Sequence, residues 1–309
     1  MKDLSQRDAF FGKLYEIARR DRDVILVSAD MGAPSLDKFR ADLSAQYVNV
    51  GIAEQNMVTV ASGLALGGKT VFMYAIMPFV TLRCYEMIKV ELCLMNIAVT
   101  AVGVGSGISY DDSGPTHHST EDIAIMRALP NMTVLNTTDS VMAARFAEMT
   151  CHISSPHYVR LDREKLPNIY KAGADFSTGV TELKTGRDVC IVATGNMVQR
   201  ALEVAAELAK QNITAGVIDL YRIKPINTEL LVKSVSRSGR VVTLEENLLN
   251  GGMGSAVAEV LADNGKLLPL KRIGLPDGYF FTYGGRKTMQ SRSGLDLKSV
   301  TDLIIKWLK

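Results

Sequence analysis

The sequence predicts an α/β protein built as two doubly wound α/β domains with mainly parallel sheets. Three observations carry that expectation. Short apolar runs such as Val24–Ala29, Thr70–Ile76, Ile97–Gly105 and Ala215–Leu220 show no polar alternation, as strands covered on both faces require. Between them lie longer segments with apolar residues at helical spacing. A stretch rich in turn residues, with Pro167, Gly173, Gly179 and Gly186, interrupts the alternation once, after which it restarts.

In chain order, Ser5 caps a helix running to about Arg20 with Phe10, Phe11, Leu14, Ile17 and Ala18 on one face, and Val24–Ala29 is a buried strand. A Gly/Pro loop and a short helix near Leu36–Leu43 precede the strand Tyr47–Gly51 and an apolar helix from Ala53 to Leu66. That helix stops at Gly67-Gly68. The strand Thr70–Ile76, a long helix from about Pro78 to Met95, the strand Ile97–Gly105, a polar loop and a helix from about Thr120 follow. Met132–Asn136, the helix Ser140–Thr150 and the strand His157–Leu161 complete a first domain over 1–165. A linker with a short hairpin is expected over 166–187. The second domain, 188–309, reads as strands ending near Thr194, Leu220, Leu244 and Ile273 with helices between them and a last helix from about Asp296.

The chain has 309 residues, 47% of them hydrophobic and 22% charged, with a net charge of +2. There is no basic excess to favour nucleic acid and no acidic tail. The cysteines, Cys84, Cys93, Cys151 and Cys190, are scattered without C-x-x-C spacing, as reduced thiols of a cytoplasmic protein would be. No apolar run reaches the roughly 18 residues of a membrane span, and the opening segment has no apolar core. Neither membrane insertion nor export is expected.

Glu54 sits just after a strand and at the head of a helix, where ligands bind in an open α/β sheet. An acid in the first turn also simply complements the helix dipole. The loop holding Gly105, Gly107, Asp111, Asp112, Gly114, Pro115, His117 and His118 offers imidazole, suited to proton transfer near neutral pH, at an equivalent crevice position. Alone, His117 is equally well a surface histidine. A metal is not expected, because adjacent histidines rarely both reach one ion and no further His or Cys lies nearby. Arg160 and Arg163 end another strand, placed either to hold an anion or to pair with Asp162 and Glu164 on the surface. Gly251-Gly-Met-Gly254 matches neither a dinucleotide nor a Walker spacing and reads as a structural turn.

Taken together these segments resemble the C-terminal half of a transketolase, in the group that includes deoxyxylulose-phosphate synthase, and the resemblance covers nearly the whole chain. Gly51-Ile-Ala-Glu54-Gln-Asn resembles the segment whose glutamate binds the aminopyrimidine of thiamine diphosphate. Gly114-Pro-Thr-His117, with Glu121-Asp122 and Arg127-Ala-Leu-Pro-Asn131-Met after it, resembles the active-site histidine loop and its helix. Phe79, four residues before Arg83, matches the aromatic residue that packs on the pyrimidine, and Ile76 stands where the family has a further Phe. Arg7, by its spacing from Ser28-Ala-Asp30, and Ser35, after a loop one residue longer, resemble substrate phosphate contacts, and Arg163 matches the third. The resemblance implies that Glu54 bonds the pyrimidine ring, that His117 steadies the donor's first oxygens, and that the bound cofactor splits a ketose and passes a two-carbon ketol unit to an aldose.

The family's diphosphate and Mg²⁺ site carries Gly-Asp-Gly, which does not occur here. The resemblance therefore implies one subunit of a split enzyme, active only with an N-terminal-half transketolase subunit that holds the metal, in an assembly with two copies of each chain. The nearest alternative is the β subunit of a deoxyxylulose-phosphate-synthase-like or 2-oxoacid dehydrogenase thiamine enzyme, and release of CO2 from pyruvate separates it. A scaffold that kept the fold without the chemistry is the alternative from another class. At the position where typical transketolases carry a donor-reading aspartate this chain has Ser113, and Gly105 stands in place of a donor-contacting histidine, with Asp112 one residue displaced. These departures point to a modified ketose donor still bearing a phosphate or sulfonate held by Arg163 with Arg7 or Ser35.

Overall fold

The computed structural model describes residues 4–309 and shows two α/β units, each with its own mainly parallel sheet. One unit comprises the residues up to Ser106 together with Ile125–Ala174, and the other Gly107–Ala124 with Asp175–Lys309. The polar loop after the fourth strand thus packs with the second unit, although it lies within the first in sequence.

In the first unit, β1 (Val24–Ser28), β2 (Tyr47–Asn49), β3 (Thr70–Ile76), β4 (Val99–Val104), β5 (Thr133–Asn136) and β6 (His157–Leu161) run parallel in the order β5-β6-β4-β3-β1-β2. Every residue of β1, β4 and β6 is buried, which explains the mainly apolar character of β1 and β4, while β6 buries His157 and Arg160 as well. The helices are α1 (Gln6–Ala18), α2 (Asp37–Asp42), α3 (Glu54–Leu66), α4 (Met77–Val80), α5 (Tyr85–Met87), the part of α6 (Asp122–Ala128) from Ile125 on, and α7 (Ser140–Thr150). Ser5 caps α1 by accepting the Asp8 amide at 3.1 Å. Phe10 and Phe11 on α1 meet Phe72 and Tyr74 on β3 edge-on, at 6.1 and 4.6 Å between ring centres. That aromatic seam anchors the helix to the sheet.

The long helix expected from Pro78 to Met95 is interrupted instead. It stops at Val80, resumes at Tyr85 and passes into a π-helical turn over Ile88–Leu94. Side chains compete for the carbonyls here: the Thr81 hydroxyl donates to Met77 O at 2.7 Å and the Cys84 thiol to Phe79 O at 3.0 Å. Hydrophobic spacing registers none of these bonds.

In the second unit, β7 (Val180–Lys184), β8 (Val189–Ala193), β9 (Ala215–Leu220), β11 (Val241–Leu248) and β12 (Leu270–Leu275) order as β12-β11-β8-β9-β7, and a short strand β10 spans Arg222–Lys224. All pairs are parallel except β7 on β9, so the expected hairpin is replaced by one edge strand that pairs antiparallel with β9. The helices are α8 (Met197–Ala209), α9 (Thr228–Val235), α10 (Met253–Asp263), α11 (Arg286–Arg292) and α12 (Leu297–Leu308). Among the described residues no helix is long and apolar enough to cross a membrane. The four cysteines form no disulfide, and burial pushes the thiols of Cys84 and Cys190 up to about 12.

Candidate active-site residues and family

Glu54 is the first residue of α3. Its position is set locally: Asn49 Oδ1 accepts the Asp30 amide at 2.9 Å and the Gly51 amide at 3.0 Å, and Gly51 turns the chain at φ +75° from β2 into the helix. The Glu54 side chain is 6% exposed and bonds the Arg83 guanidinium, Oε1 to Nη1, at 2.7 Å. The same guanidinium lies over the Phe79 ring with its carbon 4.1 Å from the ring centre. Glu54, Phe79 and Arg83 thus form one cluster around the break between α4 and α5, while Ile76, the last residue of β3, is half-buried at the strand end. Arg83 served only as a spacing marker in the sequence. Twenty-nine residues from Glu54, it gave no pattern from which the pairing follows.

The predicted anion-binding residues lie elsewhere in the first unit. Gln6 accepts the Asp162 amide at 2.6 Å through its side chain, so Arg7 and Arg163 flank one polar junction at the start of α1 and the end of β6. Arg7 Nε stands 3.6 Å from Asp8, and Ser35 lies in the turn Pro34–Leu36 packed against α1, its hydroxyl oxygen buried. Arg163 is exposed, whereas Arg160 is buried and not on the surface. Asp162 is buried too, its carboxylate accepting the Ser106 hydroxyl at 2.7 Å and the Glu164 amide at 2.9 Å.

His117 and Ser113 belong to the second unit. Gly107 and Ser119 bond each other's backbone, at 3.2 and 2.8 Å, and pinch the loop into a closed bow. At its tip Ser113 donates to the Asp112 carboxylate at 3.1 Å, and the His117 ring lies 3.0 Å from the Thr116 hydroxyl and 5.9 Å from the Tyr110 ring. His118 points inward, and burial draws its imidazole below the ordinary histidine range.

What holds this bow is an ion pair that the sequence pattern did not reveal. Glu246 and Arg286 have side chains 2% and 4% exposed, and the guanidinium meets both carboxylate oxygens, Nη2 and Nε reaching Oε1 at 2.9 and 3.0 Å and Nε reaching Oε2 at 3.2 Å. Glu246 also accepts the Ile108 amide at 3.0 Å, the Asn196 amide group at 2.8 Å and the Gln290 amide group. The Arg286 backbone donates to Asp111 at 2.7 Å, and Asn247 to Asp122 at 3.0 Å. Gly107 sits so close that a side-chain carbon there would fall 2.3 Å from Glu246 Oε1. One signal was present in the sequence: Glu245-Glu246-Asn247 breaks an otherwise apolar strand.

The chain matches two protein-family models, "Transketolase, pyrimidine binding domain" over residues 2–168 and "Transketolase, C-terminal domain" over 179–300. It is 35% identical to an apulose-4-phosphate transketolase subunit of Actinobacillus succinogenes, over 92% of each chain. It is 36% identical to the 6-deoxy-6-sulfo-D-fructose transketolase subunit of a Clostridium species, over 95% of this chain and 91% of that one. A solved structure described as a split gene transketolase, inactive beta4 tetramer, superposes with a TM-score of 0.89 at 33% identity, covering 99% of this chain and 98% of that one. Two family models end to end, relatives aligned over almost their full length and a shared fold leave one assignment: the chain belongs to the transketolase family of thiamine-diphosphate-dependent transferases, with its pyrimidine-binding and C-terminal domains.

Proposed function

We propose that this chain is the pyrimidine-binding subunit of a two-chain transketolase, acting on a modified ketose donor that bears a phosphate or sulfonate. The observation that carries the reading is Glu54, a buried carboxylate at a helix head beside Phe79, already bonded to a flat N–H donor. A site that accepts a guanidinium plane fits an aminopyrimidine, which is also planar and presents nitrogen to a carboxyl group. When bound, thiamine diphosphate supplies the nucleophile that splits the ketose. Glu54 holds a shared proton at the pyrimidine nitrogen, Phe79 and Ile76 wall the ring, and His117 orients the donor's first oxygens. Arg163, with Arg7 or Ser35, takes the terminal anion.

Among the described residues no group of three or more His, Cys, Asp or Glu stands together to hold a metal. The Gly-Asp-Gly segment of the family's diphosphate and Mg²⁺ site does not occur here, no step here runs through magnesium, and we assign it to a partner chain with the diphosphate. Ile52 and Leu94, 79% and 77% exposed, with Leu82, Val90 and Met95 also exposed on the α3–α5 side, supply an apolar surface for that partner. The relative described as an inactive beta4 tetramer supports a multimer in which this type of subunit is not competent alone. We place two copies of each chain in the assembly, and the work in the cytoplasm.

Two relatives are named for apulose 4-phosphate and 6-deoxy-6-sulfo-D-fructose, which supports the donor reading drawn from Ser113 and Gly105. In a donor panel assayed on the reconstituted complex, a branched, deoxy or sulfonated ketose is expected to give the highest kcat/KM. Ser113→Asp is expected to move the ranking toward xylulose 5-phosphate by roughly one to two orders of magnitude. A preference for xylulose 5-phosphate over every modified ketose contradicts the reading, as does an unchanged ranking in the variant.

A further inference from the structure

We propose that Arg83 is a built-in occupant of the pyrimidine site, a guanidinium that the cofactor's ring must displace. The inference rests on the cofactor reading above and adds a residue to which that reading gives no role. Arg83 makes the two contacts assigned to the ring, a 2.7 Å bond to Glu54 and a stack on Phe79 at 4.1 Å. On this proposal the ring takes the same Oε1 and the same face of Phe79 that Arg83 holds, and these do not serve two flat groups at once.

The arrangement follows from the chemistry of an empty cofactor site. Glu54 is 6% exposed, and a carboxylate so buried is costly without a partner. Arginine suits the task where lysine does not, since its flat guanidinium stacks on a ring and bonds a carboxylate in one plane. The backbone keeps it in reach: the break between α4 and α5 turns the chain back toward α3, and the Gln55 side chain bonds Arg83 O at 3.2 Å. The Arg83 side chain is 43% exposed, so it has a way out into solvent when the ring enters. The ion pair and stack therefore stabilise only the cofactor-free state. By linkage they weaken apparent cofactor affinity by the share of molecules in which Arg83 holds the site.

The test is calorimetric titration of the assembled complex with thiamine diphosphate and Mg²⁺, comparing wild type with Arg83→Met and Arg83→Lys. Methionine keeps an apolar stem over Phe79 and removes the charge. It is expected to tighten binding by about three- to thirty-fold, with lysine between. In thermal melts Arg83→Met is expected to lower Tm without cofactor, and saturating cofactor is expected to abolish that deficit. Affinity unchanged or weakened in Arg83→Met overturns the proposal, and so does a Tm deficit that persists at saturation, because either means that Arg83 and the ring coexist. Absence of binding in wild type overturns the cofactor reading itself, and this inference with it.

Discussion

Glu54→Gln lowers turnover of the assembled enzyme by about 10²- to 10⁴-fold, the range removed when a positioned proton-sharing group is lost. The amide keeps the volume of the carboxyl group and its place at the head of α3, so shape is retained while the shareable proton is not. The substitution also breaks the pair with Arg83. Because that arginine is partly open to solvent, the accompanying loss of stability stays at about 1 kcal/mol or less, and the variant is expected to fold and assemble. Single-turnover kinetics together with exchange of the cofactor's reactive C2 proton check the role. Exchange at the native rate in Glu54→Gln shows that the carboxyl group does not act at the pyrimidine.

The largest effect on stability is expected at Arg286. Removing one member of a fully buried pair leaves the other charge uncompensated, and Arg286→Met is expected to cost about 3–5 kcal/mol. The effect has a place as well as a size. Glu246 holds the Ile108 amide and the Arg286 backbone holds Asp111, so hydrogen exchange at Ile108 is expected to speed up more than exchange in the buried strand β8. Pairing the change with Glu246→Leu removes the orphaned carboxylate and is expected to recover part of the loss in urea denaturation. Additive losses in the double variant contradict the assignment of this pair as the clamp of the His117 loop.

The legible parts of this protein are those that depend on neighbours in sequence. Strand β3 shows its bounds because it is a short, mostly apolar run after a Gly-Gly stop, and β6 shows them because Pro156 and Asp162 bracket it although it carries His157 and Arg160. Glu54 stands out because it is the one charged residue of its helix and opens it. Bonds between distant residues are less visible. After Val80 the helix breaks where the Cys84 thiol takes the Phe79 carbonyl, a side-chain bond that periodicity does not encode. The pairing of β7 with β9 depends on an edge left open across the sheet. Helix α11 has little apolar pattern, and its place is set by Arg286 reaching Glu246 forty residues away. That contact also explains why Gly107–Ala124, which follows β4 in sequence, packs with the second unit.

The measurement bearing most directly on the account is ketol transfer by the purified chain, assayed with thiamine diphosphate and Mg²⁺, alone and after addition of a partner chain bearing the Gly-Asp-Gly diphosphate site. The expected result is no transfer by the chain alone and full transfer once the partner is present. Ketol transfer at the full rate by this polypeptide without a partner contradicts the account.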